Sequence, residues 1–271
     1  MAGMIQKATE NKAVTTDKKP ATMRDYINSM QGEIAKALPS VITPERFTRI
    51  TLSALSSNPQ LSQTTPQSFL AAMMTAAQLG VEPNTPLGQA YLLPYRNKGQ
   101  LECQFQLGYK GLIDLAYRSG EISVIQAHTV YANDTFDFEF GLEPKLTHKP
   151  AMSDRGEPVA FYAVFKMKDG GFGFEVMSVE DVRAHAKKYS KAYATGYSPW
   201  TTNFEEMAKK TVLKRVLKYA PLKSDFARAA ATDESIKHEI RADMGEVNAE
   251  PIVIDADIVD AETGEIVQPE N

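Results

Sequence analysis

The side chains best able to do chemistry in this chain are cations set at helical spacing. Lys209, Lys210, Lys214, Arg215 and Lys218 lie within three turns of a segment whose apolar members, from Phe204 through Met207, Ala208, Val212, Leu213, Val216 and Leu217, recur as a buried helix face requires. A solvated helix face intersperses acids four residues away, yet no acid follows Glu206 until Asp225. Like charges stacked at Lys210, Lys214 and Lys218 repel unless an anion lies against them. Nucleic-acid phosphate is such an anion, and binding it releases condensed counterions, so affinity falls as salt rises. The plainer reading is a solvated basic surface.

Two further groups invite the same question. Lys187, Lys188, Tyr189, Lys191, Tyr193, Tyr197 and Trp200 interleave cations with rings, as a single-strand binder needs: ring faces stack on any unpaired base while cations follow the backbone. Trp200 has a second reading, packing on the core behind the long helix. Tyr95 and Arg96 precede Gln106, Leu107, Gly108, Tyr109, Lys110 and Gly111, a glycine-flanked strand-to-helix junction whose free N–H groups and dipole favour an anion. Such junctions are also common for purely geometric reasons.

Other chemistries fit less well. A metal-dependent nuclease could use Asp134 or Asp137 with Glu143 and Lys145, but Pro144 between the last two removes a donor from the strand such a site occupies, and exposed turn acids explain them more simply. The glycine cluster from Gly170 to Gly173 lacks the lysine and hydroxyl of a nucleotide phosphate loop, so no nucleotide cofactor is expected. Cys103 is the single cysteine, and His128, His148, His185 and His238 are scattered, so no disulfide or structural zinc is expected. A virion structural protein, with DNA incidental, is a further alternative.

Net charge is −4 over 271 residues, which conceals a strong asymmetry. Residues 181 to 230 hold eleven Lys or Arg against four Asp or Glu, whereas 231 to 271 hold two against twelve. With no apolar run of membrane-spanning length and no secretory leader pattern, an intracellular protein is expected, and the family resemblance given below implies the cytoplasm of a bacterial or phage-infected cell.

The elements that must position these residues read as an α+β fold. Residues 1–21 form a polar, lysine-rich arm expected to be disordered. Thr22, Thr43-Pro44 and Thr65-Pro66 open three helices, the last closed by Gly80, and together they make an N-terminal helical layer suited to subunit contacts. Strands follow over 88–95 and 101–107 around the turn Asn97-Lys98-Gly99, then a helix over 109–118. Further strands are expected over 122–131, 135–140, 159–168 and 173–177, then a helix capped by Ser178 and the long helix over 202–219. Residues 225–240 read as helical. The expected organisation is thus an arm (1–21), a folded domain (22–232), to which the resemblance given next assigns annealing and oligomerisation, and a flexible acidic tail (233–271).

Three stretches then give a specific resemblance. Gly80-Val81-Glu82-Pro83, Leu87 through Tyr95, and Gln106 through Ala116, followed by Trp200 with Glu205 through Thr211, resemble the signature of the RecT family of phage single-strand annealing proteins over roughly 22–230. The resemblance implies a central antiparallel β-sheet with a packed helix, similar to the Rad52-like annealing core. It implies ATP-independent binding and annealing of single-stranded DNA in homologous recombination by a homo-oligomeric ring or helical filament, with no bond chemistry. It also implies a phage-encoded exonuclease partner, with host single-strand binding protein a further one. A divalent cation such as Mg²⁺ would assist by screening phosphates. By motif, Tyr109, Lys110, Arg118, Lys209, Lys210 and Arg215 would line a groove for the DNA backbone.

Overall fold

The computed structural model describes residues 22–190, 193, 198–220, 233, 235–249, 258–259 and 266–267. The arm at 1–21, Lys191, Tyr197 and all of 221–232 lie outside the described residues.

Helices α1 (Met23–Ser29), α2 (Gln31–Ala37), α3 (Pro44–Ser57) and α4 (Pro66–Leu79) build the N-terminal layer. Their starts are set locally. Thr22 accepts from the Asp25 amide while the Asp25 carboxylate accepts from the Thr22 amide, and Thr43 caps α3 with Pro44 as its first residue. Where one helix was expected over the first stretch there are two, because Met30 sits at φ −90°, ψ 0° and breaks the ladder between α1 and α2. Helix α4 is apolar nearly all round and is buried from Ser68 to Ala77, which makes it the central rod of this half. Gly80 ends it in the left-handed region at φ +58°, where a Cβ would sit 2.5 Å from Pro39.

Strands β1 (Ala90–Asn97) and β2 (Gln100–Leu107) form an antiparallel hairpin. Alternation sends Leu92, Cys103, Phe105 and Leu107 into the core beside α4 and puts Tyr91, Leu93, Tyr95, Glu102, Gln104 and Gln106 on the other face. Helix α5 (Tyr109–Arg118) follows, then β3 (Ile122–Tyr131), β4 (Thr135–Glu139), β5 (Lys145–Lys149), β6 (Pro158–Met167) and β7 (Phe172–Ser178). The sheet is antiparallel as expected but divided: β3, β6 and β7 pair in that order, and β4 with β5 form a separate hairpin inserted between β3 and β6. Ser178 caps α6 (Val179–Tyr189), and α7 (Pro199–Thr202) leads into α8 (Phe204–Leu217), which packs across the three-stranded sheet and against α5.

The inserted hairpin is anchored at its base. Asp134, fully enclosed, accepts from Arg155 Nη2 (2.6 Å) and Nε (3.0 Å), from the amides of Tyr131 and Ala151 (2.9 Å each), and shares a 3.0 Å contact with His148 Nε2. Arg155 foremost among these holds the Asp134 carboxyl well below the usual carboxylate range. Asp134 is thus a structural anchor and does not converge with Asp137, Glu143 and Lys145, which are exposed on the hairpin.

Several of the described residues past 232 pack on the domain. Ser235 bridges Phe105 of β2, Ile236 is buried against Leu93 and Tyr95, and Met244 and Val247 join the main core. The Gln78 side chain clasps this segment, donating to the Ala242 carbonyl and accepting from the Met244 amide at 2.8 Å each. Within the stretch expected to be a tail, Ser235 pairs with Phe105 through an isolated bridge, and residues 237–240, expected to be helical, hold no helix.

Candidate nucleic-acid interface

Two adjoining cavities, of about 730 and 590 Å³, run between the β1–β2 hairpin and helix α8. Gln106, Pro199, Met207 and Lys210 belong to the walls of both, so they form one cleft. Helix periodicity makes the floor: Met207, Lys210, Thr211, Lys214, Arg215 and Lys218 share one face of α8 and its C-terminal cap. Strand alternation makes one wall, with Tyr95, Gln104 and Gln106 on the outer face of the hairpin. The opposite wall is His185 and Tyr189 of α6, four residues apart, with Trp200 of α7. At the other end the cleft passes Gly88, Tyr109 and Lys110.

Of the residues singled out from sequence, Tyr95, Gln106, Tyr109, Lys110, Trp200, Lys210, Lys214, Arg215 and Lys218 meet in this cleft. Arg96 does not, because it is exposed on the opposite face of β1 from Tyr95. Arg118 lies at the far end of α5 from Lys110, paired with Asp114 at 2.9 Å and close to Gly80. Lys209 turns away from the floor to Glu206, 3.0 Å distant. Lys187 and Lys188 are exposed on α6, with Lys188 over the Tyr189 ring at 5.2 Å from its centroid.

The cations of the floor are not bare. Lys214 reaches Asp233 at 2.6 Å, Lys210 reaches the same carboxylate at 3.2 Å, and Arg215 reaches Glu175 of β7 at 2.6 Å. Lys210 is only 4% exposed, and Asp233 is a carboxylate that matches its buried charge. The missing acids expected to betray an external anion are thus supplied in part from remote segments. Glu175 could have been found from strand alternation, which places it on the α8 side of β7; nothing local marks Asp233.

The strand-to-helix junction is also more geometric than its glycines suggested. Gly108 donates to the Gln89 carbonyl at 2.9 Å, and a Cβ on Gly108 would stand 2.2 Å from the Gly88 carbonyl oxygen. The glycines let one backbone run across the start of α5, which leaves Lys110 as the group that can face an anion. Burial, then the adjacent Glu206, pushes the Tyr109 phenol above its ordinary value, so it stays a proton donor. Trp200 is largely enclosed, its ring centroid 6.2 Å from those of both His185 and Phe204. It forms a wall more than a projecting platform.

Among the described residues no group of three or more His, Cys, Asp or Glu side chains could hold a metal, and no helix is long and apolar enough to cross a membrane. The cleft is elongated, floored by cations and flanked by rings and amides, with Glu175 and Glu206 also in its lining, the kind of surface on which single strands are bound in other proteins. The RecT family matches residues 45–247. Protein RecT of Escherichia coli (strain K12) is 40% identical over 258 residues, covering 93% of this chain and 94% of that protein. The uncharacterized protein YqaK of Bacillus subtilis (strain 168) is 29% identical over 256 residues, covering 91% of this chain and 85% of that protein. The chain belongs to the RecT family, and so to a class that acts in DNA recombination by binding and annealing single strands.

Proposed function

We propose that this chain binds single-stranded DNA through the cleft, anneals it to a complementary strand without nucleotide hydrolysis, and does so as a homo-oligomer. The observation that carries the reading is the continuity of the cleft from Lys110 past Lys210 to Lys214, Arg215 and Lys218. Contacts to phosphate carry no sequence information, which suits a protein that must accept any strand and leave recognition to base pairing. Few such contacts per protomer suffice when subunits line up, since linked weak sites multiply in affinity. Divalent cations would act by screening the two approaching backbones. A nuclease that supplies single strands, and a host protein that coats them, are the partners this activity calls for.

The test is annealing of two complementary oligonucleotides, followed by fluorescence quenching without ATP. Wild-type protein should accelerate annealing, and Lys110→Ala combined with Lys218→Ala should abolish most of that gain. Failure of the wild type to accelerate annealing, or full activity of the double variant, would remove the basis for this assignment.

A further inference from the structure

The strap that follows residue 232 ends one of its contacts inside the cleft. Asp233 has no exposed side-chain surface, and its two carboxylate oxygens accept from Lys214 Nζ at 2.6 Å, from Lys210 Nζ, and from the Leu107 amide at 2.7 Å. Two cations and one amide N–H converging on a single anion are what a phosphate group would also find there. From that point the strap runs away from the cleft: the Phe105 amide donates to the Ser235 carbonyl at 3.2 Å, Ile236 fills the gap between Leu93 and Tyr95, and His238 stands 3.6 Å from Glu102. The buried Lys237 ammonium donates to the Met244 carbonyl, and Gln78 clasps the segment beyond.

We infer that Asp233 is an internal phosphate mimic, and that the strap carrying it competes with nucleic acid for Lys210 and Lys214. The proposal rests on the cleft being the DNA site. Its physical basis is that Lys214, part-exposed, can change partners without moving the helix. Withdrawing Asp233 uncovers the Lys214 ammonium and the Leu107 amide, and a phosphate arriving in the cleft is an anion that can take both. Strand entry and departure of Asp233 become one exchange of anions at Lys214. The apolar anchor at Ile236 and the clasp at Gln78 would set how readily the exchange proceeds. The free protein is thereby held in a lower-affinity state.

The experiment has two arms on the full-length chain, with oligo(dT) as the probe. Amide hydrogen exchange is measured at Leu107 and Phe105, whose N–H groups both donate to the strap, with and without the oligonucleotide. Bound DNA should speed exchange at both. Fluorescence anisotropy then compares wild type with Asp233→Asn and with Ile236→Ala, which loosens the strap without altering charge. Each variant should bind about tenfold more tightly, the worth of roughly one charge-assisted hydrogen bond. Ile236→Ala carries this arm should Asp233→Asn fail to fold. Amides that stay as protected with DNA as without it, or variants that bind no more tightly than wild type, overturn the inference. Wild-type protein without affinity for oligo(dT) would overturn the cleft assignment as well, and that result is read separately from the other two.

Discussion

The salt dependence of DNA binding can be apportioned among individual lysines of the cleft. Five cations line it, Lys110, Lys210, Lys214, Arg215 and Lys218. At about 0.7 per neutralised phosphate of a single strand, they set a limiting slope of about −3.5 per protomer in log affinity against log salt. Three of the five are matched by Asp233 or Glu175 in the free protein, whereas Lys110 and Lys218 are exposed and have no carboxylate partner among the described residues. Replacing both by alanine should flatten the slope by about 1.4, so that the affinity gap between wild type and variant narrows about 25-fold for each tenfold rise in salt. Lys209→Ala is the control, because its ammonium pairs with Glu206 and does not line the cleft. Anisotropy titrations of labelled oligo(dT) across a roughly tenfold range of salt read the slopes directly. If Lys209→Ala flattened the dependence as much as Lys110→Ala, the DNA path would run over the other side of α8 and the cleft would be the wrong surface.

Contacts within the fold set three more expectations. Trp200→Ala should lower stability by about 3 kcal/mol in urea titration, since a large enclosed ring is removed from between His185 and Phe204; a loss under about 1 kcal/mol with sharply weakened DNA binding would restore the base-stacking role. Gly108→Ala drives a Cβ into the Gly88 carbonyl and should lower the melting temperature while distorting the cleft, whereas Gly32→Ala, in α2 with open space around it, should stabilise by up to about 1 kcal/mol; equal effects would contradict the close backbone approach. Because folding holds the Asp134 carboxyl below its ordinary value, the stability it contributes is complete above about pH 4 and is lost as pH falls below that. Asp134→Asn should therefore be less stable at neutral pH and show a shallower acid loss below about pH 4 in thermal melts; an unchanged acid limb would place the sensitivity on another carboxylate.

Signals carried by neighbouring residues are legible in the sequence itself. Thr22, Thr43 and Ser178 each mark a helix start because an N-cap acts on amides two or three residues away, whereas Thr65 makes no such bond and α4 is marked by Pro66 as its first residue. Lys98 and Gly99 turn the first hairpin with positive φ values of 49° and 81°, as the Asn-Lys-Gly run implies. Where partners are remote, legibility ends. Strand β5 carries only two inward side chains, Leu146 and His148, and the hairpin it completes is fixed by Asp134 and Arg155, 21 residues apart. Asp233 meets Lys214 across 19 residues and Leu107 across 126, so no window on the sequence contains its role.

The same distinction separates which cations share the cleft, which charge counting can read, from how far each is already matched, which it cannot. Helical spacing fixes which cations share a face, so the floor of α8 could be read from a single segment. Whether a cation on that face is available depends on what the rest of the chain brings to it, and here β7 and the strap bring two carboxylates to three of five positions. Under the annealing reading this compensation has a use. A strand held by five uncompensated cations per subunit, repeated along an oligomer, would bind too tightly to sample registers against a complementary strand. Cations already matched within the protein exchange one anion for another, at a net gain far smaller than that of binding a bare charge. The strand is then held by number of contacts more than by the strength of any one, and it can still shift until its bases pair.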